Sequence, residues 1–215
     1  MKKKLILLGG GGHAESLIDT IRSKGEYDIE GILDSDKSRG MTVSGIMVLG
    51  TDELLPDIYR RGIRSAVIAI GSIGNPQIRI RLYEECKAIG FHLPCIIDKS
   101  AVLSTDLKMG EGVFIGKGAV IGSGAILGDG CIINSGAILE HGCKFGSFSH
   151  AAPGCILCGN TTVGSQTHIG AGSTVIQNIT IGSNSMIGAG SLVLSDVSSN
   201  RLAYGSPVRE VGRYE

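Results

Sequence analysis

Tryptophan is absent from the 215 residues, and four Phe with five Tyr hold the aromatic share to 4%. A core must therefore be filled by aliphatic side chains rather than by large rings. Proline is scarce at five residues and glycine follows no three-residue period, which excludes a collagen-like chain. An excess of either charge is also missing, since Lys+Arg and Asp+Glu number 20 each. Without a net field to draw the chain onto nucleic acid or an acidic membrane, a small molecule is the expected partner. No run of the ~20 apolar residues needed to cross a bilayer is present, so no membrane insertion is expected. The apolar stretch after Lys2, Lys3 and Lys4 is only four residues long before Gly9, too short for a secretory signal. The six Cys, at 86, 95, 131, 143, 155 and 158, lack the framework of a disulfide-stapled domain. They read as reduced thiols of a cytoplasmic protein.

Glycine, by contrast, is abundant at 34 residues, and hydrophobic residues reach 42%. The first part of the chain explains some of it. An apolar run at 4–8 enters Gly9-Gly10-Gly11-Gly12-His13, after which Ala14, Leu17, Ile18 and Ile21 mark one face of a helix that Gly25 stops. Further apolar runs at 27–33 and 66–70 end at Asp34 and Gly71, and a helix is predicted over 75–89. Strand-then-helix order implies a small parallel sheet with ligands beyond the carboxyl ends of its strands. Gly9-x-Gly11-x-x-Ala14 fits the loose dinucleotide fingerprint, and Asp34 lies where an acidic ribose reader would sit. Such glycines let a backbone approach phosphate closely. Residues 1–94 are too few for the two halves of a full dinucleotide fold, so one mononucleotide fits better.

The rest, 95–215, is periodic. Stepping by six from Ile97 to Val193 gives seventeen apolar positions; the next residue is Gly at nine of them, and the residue two before each is mostly Ala, Cys, Ser or Thr. No α-helix places every sixth residue on one face. A coil of three short strands does, with a large side chain inward, a small one beside it and a corner residue tolerating the left-handed region. This is the hexapeptide repeat of a parallel β-helix, roughly five to six coils of eighteen residues, with residues n and n+18 about 4.8 Å apart. Cys95, Cys131, Cys143 and Cys155 all take the small inward position, so Cys155-x-x-Cys158 reads as packing rather than a redox or zinc motif.

The glycine after the large position is replaced at Asn134, Glu140, Ala152 and Cys158, within 25 residues that also hold His141 and His150. Local rules break where function intervenes. The eighteen-residue step stacks His141 over Gly159 and His150 over His168. An imidazole above bare backbone suits a general base beside an amide aimed at a substrate carbonyl. Glu140 orients His141 only if the corner turns both outward.

With Gly9 to His13, Leu33-Asp34-Ser35-Asp36-Lys37, Leu139-Glu140-His141-Gly142-Cys143, Phe148-Ser149-His150 and Gly205-Ser206-Pro207 in order, the chain resembles the NeuD/PglD-like sugar O- and N-acyltransferases. That resemblance implies a small Rossmann-like parallel sheet domain followed by a left-handed parallel β-helix; spacing alone says nothing of the hand. It further implies a homotrimer that transfers the acetyl group of acetyl-CoA, without a metal, to the amino group of a UDP-linked amino sugar for surface glycan biosynthesis. Carried over by motif, Gly12 and His13 would meet the phosphates, Asp34, Asp36 and Lys37 the uridine end, and Gly71 the inner wall. Asn134 and His150 would line the acceptor site. Gly159, Ile169, Gly170 and Gly188 would border the thioester and pantetheine arm, with Pro207 in the covering tail. His141, oriented by Glu140, would be the base. Other readings stay open: O-acetylation of sialic acid, a γ-carbonic-anhydrase-like zinc hydratase using His141, His150 and His168, and a non-catalytic nucleotide sensor.

Overall fold

The computed structural model describes residues 2–214. The chain divides into two compact units: residues up to Ser72 with Gln77–Lys99, and Ile73–Pro76 with the residues from Ser100 onward.

In the first unit, β1 (Lys3–Leu8) buries every residue from Leu5 to Leu8. A strand so apolar on both faces belongs inside a parallel sheet, and β1 lies between β2 (Tyr27–Leu33) and β5 (Ser65–Ile68), parallel to both. Helix α1 (Gly12–Lys24) buries Ala14, Leu17, Ile18 and Ile21, and Gly25 closes it at φ 68°, its N–H on the Ile21 carbonyl. The predicted second helix is present as α3 (Gln77–Ile89). Not anticipated were the antiparallel β3 (Thr42–Val43) and β4 (Ile46–Gly50), and α2 (Leu55–Arg60). They complete a five-stranded sheet in the order β3-β4-β2-β1-β5. Their apolar residues are too few for a period to show, yet Leu55 and Ile58 join Ile6, Leu8, Leu33 and Leu82 in one core.

The second unit is a three-faced coil of two-residue strands, each parallel to the strand eighteen residues on. Val120, Ile138 and Ile156 run up one face, Ile126, Lys144 and Thr162 up the next, and Ile132, His150 and His168 up the third. From Ile115 to Val193 every sixth residue is buried inside. Arg201–Tyr204 extends the third face, and Arg209–Arg213 returns antiparallel to it.

One reason for the glycines changes. The left-handed corners fall two residues beyond the expected position, at Gly118, Gly124, Gly136, Gly142, Asn160 and Asn178, with φ from 61° to 69° at all but Asn160, at 59°. The glycine directly after the large residue is needed for clearance instead. A Cβ on Gly122 would lie 2.6 Å from the His141 nitrogen, and one on Gly170 2.5 Å from the Ala189 nitrogen. Adjacent coils are simply too close there for a side chain.

Candidate active site

The glycine loop of the first unit is built by backbone donors. Gly9 adopts φ 103° and donates to the Leu33 carbonyl at 2.7 Å, while Gly10 N–H donates to Asp34 Oδ2 at 2.6 Å. Asp34 Oδ1 accepts from the Asp36 and Lys37 amides, each at 2.9 Å. Asp34 was expected to read a nucleobase; its first task is to hold two loops together, because both of its oxygens are engaged by main chain. The Lys37 stem lies over Gly10, where a Cβ would meet its Cδ at 3.1 Å. Beside it the space is open, since a Cβ on Gly11 or Gly12 would touch nothing within 4 Å. Gly11 caps α1 without a side-chain hydrogen bond, so the first amides of a thirteen-residue helix face that opening with the positive end of its dipole. His13 borders Gly71, with 3.4 Å between the His13 Cβ and a Cβ built on Gly71. The loop thus gathers Gly12, His13, Lys37 and Gly71 about a place suited to phosphate. Asp36 is exposed at its rim.

In the coil, His141 is exposed and its ring covers Gly159. A Cβ built on Gly159 would lie 2.5 Å from His141 Nε2 and 3.2 Å from Nδ1. Glycine is what lets this ring approach the next coil so closely. The expected orienting contact from Glu140 is not made: among the described residues no hydrogen bond or ion pair joins it to His141, and its carboxylate is exposed. The ring is seated by the bare wall of Gly159 instead.

On the third face, Asn134 Nδ2 meets His150 Nε2 at 3.2 Å. The His150 and His168 rings pack edge to face, 4.8 Å apart and inclined by 86°. Both are buried, whereas His141 sits at the corner after a different face. The three histidines therefore do not converge as a zinc site requires, and no cluster of three His, Cys, Asp or Glu that could hold a metal occurs among the described residues.

Three residues expected to border the cofactor have their surroundings set by the coil. The Ile169 side chain is wholly buried in the prism and offers a ligand nothing but backbone. Gly170 abuts the Gly188–Ala189 backbone of the next coil, and Gly188 is faced by Tyr204, whose Cβ would lie 2.7 Å from a Cβ built there. Pro207 is exposed in the turn between the two tail strands. Burial pushes the Cys143 thiol up to about 11 and that of Cys155 to about 12. Both remain protonated near neutrality, so neither is poised as a nucleophile. Sequence reasoning passed over Tyr204, because a lone aromatic in a charged tail carries no period.

The PglD N-terminal domain family matches residues 4–86, and the bacterial transferase hexapeptide family (six repeats) matches residues 106–141 and 160–195. None of the curated proteins matches the chain. Among solved structures, PerB from Caulobacter crescentus, in complex with CoA and GDP-perosamine, is 35% identical over 97% of both chains, with a TM-score of 0.91. The acetyltransferase domain of PglB from Neisseria gonorrhoeae, in complex with acetyl coenzyme A, is 32% identical over 98% of this chain and 100% of that one, with a TM-score of 0.89. The H141A mutant of the Caulobacter GDP-perosamine N-acetyltransferase, with the same two ligands, is 32% identical over 97% of both, with a TM-score of 0.75.

Proposed function

Because the chain belongs to the NeuD/PglD-like sugar acyltransferases, a PglD-type domain followed by a left-handed β-helix, we propose that it transfers the acetyl group of acetyl-CoA to the amino group of a nucleotide-linked sugar. The observation that carries this reading is the His141 ring lying on Gly159. His141 accepts the proton of the attacking amine as the new amide bond forms and gives it to the departing thiolate of CoA. Gly159 N–H receives the acyl oxygen while negative charge gathers on it. A positioned base contributes roughly 10²- to 10⁴-fold, and an amide donor aimed at the developing oxyanion about 2.7–4 kcal/mol. No acyl-enzyme is needed, which agrees with the buried thiols of Cys143 and Cys155 remaining protonated. The nucleotide phosphates rest on the amides of Gly12 and His13 beside Lys37, with Asp34 holding the loop and Asp36 and Gly71 at its margins. Asn134 and His150 line the acceptor's place.

A homotrimer is part of the proposal. Gly159 lies at the corner after the Ile156–Leu157 strand, whereas Gly170 and Gly188 lie after the His168–Ile169 and Met186–Ile187 strands of another face. One acetyl-CoA stretched along a single edge reaches both sets when two copies meet, and a three-sided prism suits threefold packing.

The nucleotide is read as UDP in a cytoplasmic glycan pathway. A second reading, GDP, is favoured by the likeness to PerB, which holds GDP-perosamine. Release of CoA thiol should be measured with acetyl-CoA and, in parallel, a UDP-4-amino sugar, GDP-perosamine and free sialic acid. Turnover of a nucleotide-linked amine that falls at least 100-fold in His141→Ala, with its KM changed little, is the expected result. Turnover of sialic acid alone would replace N-acetylation by O-acetylation, and nucleotide binding without any turnover would make the protein a sensor.

A further inference from the structure

Carbonyls at the corners of the coil turn into the prism. Gly146 O accepts from Cys131 Sγ at 3.1 Å, Gly164 O from Ser149 Oγ at 2.7 Å and Gly182 O from Thr167 Oγ1 at 2.8 Å, all three donors being buried. In a trans peptide the N–H points opposite to the C=O. Each following amide is therefore turned outward.

The Cys158 carbonyl is held by more groups. It accepts from Thr161 Oγ1 at 2.6 Å, from Cys143 Sγ at 3.4 Å and from the Thr161 amide at 3.3 Å. Thr161 and Cys143 are completely buried. The outward amide of this peptide is Gly159 N–H, at the corner covered by the His141 ring, and among the described residues it has no hydrogen-bond partner. Doubled side-chain donors recur at Gly188, whose carbonyl accepts from Ser173 Oγ at 2.9 Å and Ser191 Oγ at 2.7 Å. Both corners are among those the proposed function gives to acetyl-CoA.

We propose that Thr161, backed by Cys143, is a positioning residue for acyl transfer, its hydroxyl holding the Cys158–Gly159 peptide so that Gly159 N–H stays aimed at the acyl oxygen. The inference rests on the acyltransferase reading given above. Two effects act together. The clamp removes rotation of the peptide plane, and a carbonyl that accepts several bonds in a dry interior makes its own N–H a stronger donor. The thiol remains an S–H donor because burial holds it protonated.

The test compares full-length wild type, Thr161→Val, Thr161→Ser and a control, Ser185→Ala. Ser185 Oγ donates to the Ser198 carbonyl at 3.0 Å in the same interior ladder, away from His141. CoA release is followed with acetyl-CoA and each of the two nucleotide-linked amines, alongside thermal midpoints. Losing an oxyanion donor outright costs about 10²- to 10³-fold in kcat; misaiming it in Thr161→Val should cost about 10-fold, with KM for the amine and the pH profile unchanged. Thr161→Ser should recover wild-type kcat within about 2-fold, since it restores the same donor. Ser185→Ala should lower the midpoint without lowering kcat. The inference is overturned if folded Thr161→Val keeps wild-type kcat, or if kcat in all three variants follows only the folded fraction. Absence of turnover by wild type would instead defeat the proposed function itself.

Discussion

Replacing Gly159 by Ala adds one methyl group at the point where the ring of His141, the proposed base, rests. That methyl would lie 2.5 Å from His141 Nε2, whereas ordinary contact begins at about 3.4 Å, so the ring has to withdraw by roughly 1 Å. The displaced atoms end an exposed, rotatable side chain, and Gly159 itself is not in the left-handed region that alanine resists. Folding should therefore be disturbed by less than ~1 kcal/mol. Catalysis should not escape so lightly, because a 1 Å misplacement of a reacting group costs on the order of 10²-fold in rate. Steady-state CoA release should show kcat down about 100-fold, with KM for the nucleotide sugar unchanged and an intact melting transition. A Gly159→Ala enzyme with wild-type kcat would refute the argument, for it would mean that the ring does not work from the position in which it is seen.

Asp34→Ala removes the acceptor of three loop amides and should raise KM for the nucleotide-linked sugar at least tenfold while kcat at saturation stays near wild type; equal losses in kcat would show that the loop also steers the chemistry. Thiol modification supplies a separate check of the interior. Burial raises the thiols of Cys86 and Cys155 to about 12 and that of Cys143 to about 11. A raised pKa leaves the unreactive S–H form dominant up to those values, so a thiol reagent at pH 8 should leave these three untouched until urea unfolds the chain, as peptide mapping would show.

The coil was legible because its rule is short and repeated: Ile133, Leu139, Phe145 and Leu157 each announce the next inward position, and every breach of the rule stands out. His141 was found in that way, and the register that seats it on Gly159 is only arithmetic on eighteen. What the rule does not contain is which of the outward side chains touch. Glu140 and His141 are neighbours in sequence, yet nothing in a hexapeptide period says whether they touch, and they do not. Ile169 was credited to a ligand by its motif although the same frame puts its side chain inside. In the first unit, the short elements at 42–50 and 55–60 escaped because strands of two and five residues and a six-residue helix are shorter than the window in which periodicity is visible. Asp34 shows a different gap. A carboxylate at a strand end looks the same in sequence whether it reads a ligand or ties down the loop that does.

The contact between Asn134 and His150 allows a sharper deduction. Asn134 Oδ1 accepts the Ser135 amide at 2.8 Å, and this settles which end of the side-chain amide is oxygen. The other end is then the NH₂ group, which at 3.2 Å from His150 Nε2 has only a lone pair to bond. In that arrangement Nε2 of His150 is the acceptor, and the ring proton belongs on Nδ1. Asn134→Asp keeps the shape of the side chain but exchanges that donor for an acceptor, so the favoured form of His150 should become one with a proton on Nε2. Nitrogen-15 shifts of the imidazole should report an unprotonated Nε2 in the wild type and a protonated one in Asn134→Asp at the same pH. If Nε2 already carries the proton in the wild type, the two rings and the amide are not linked as the geometry requires.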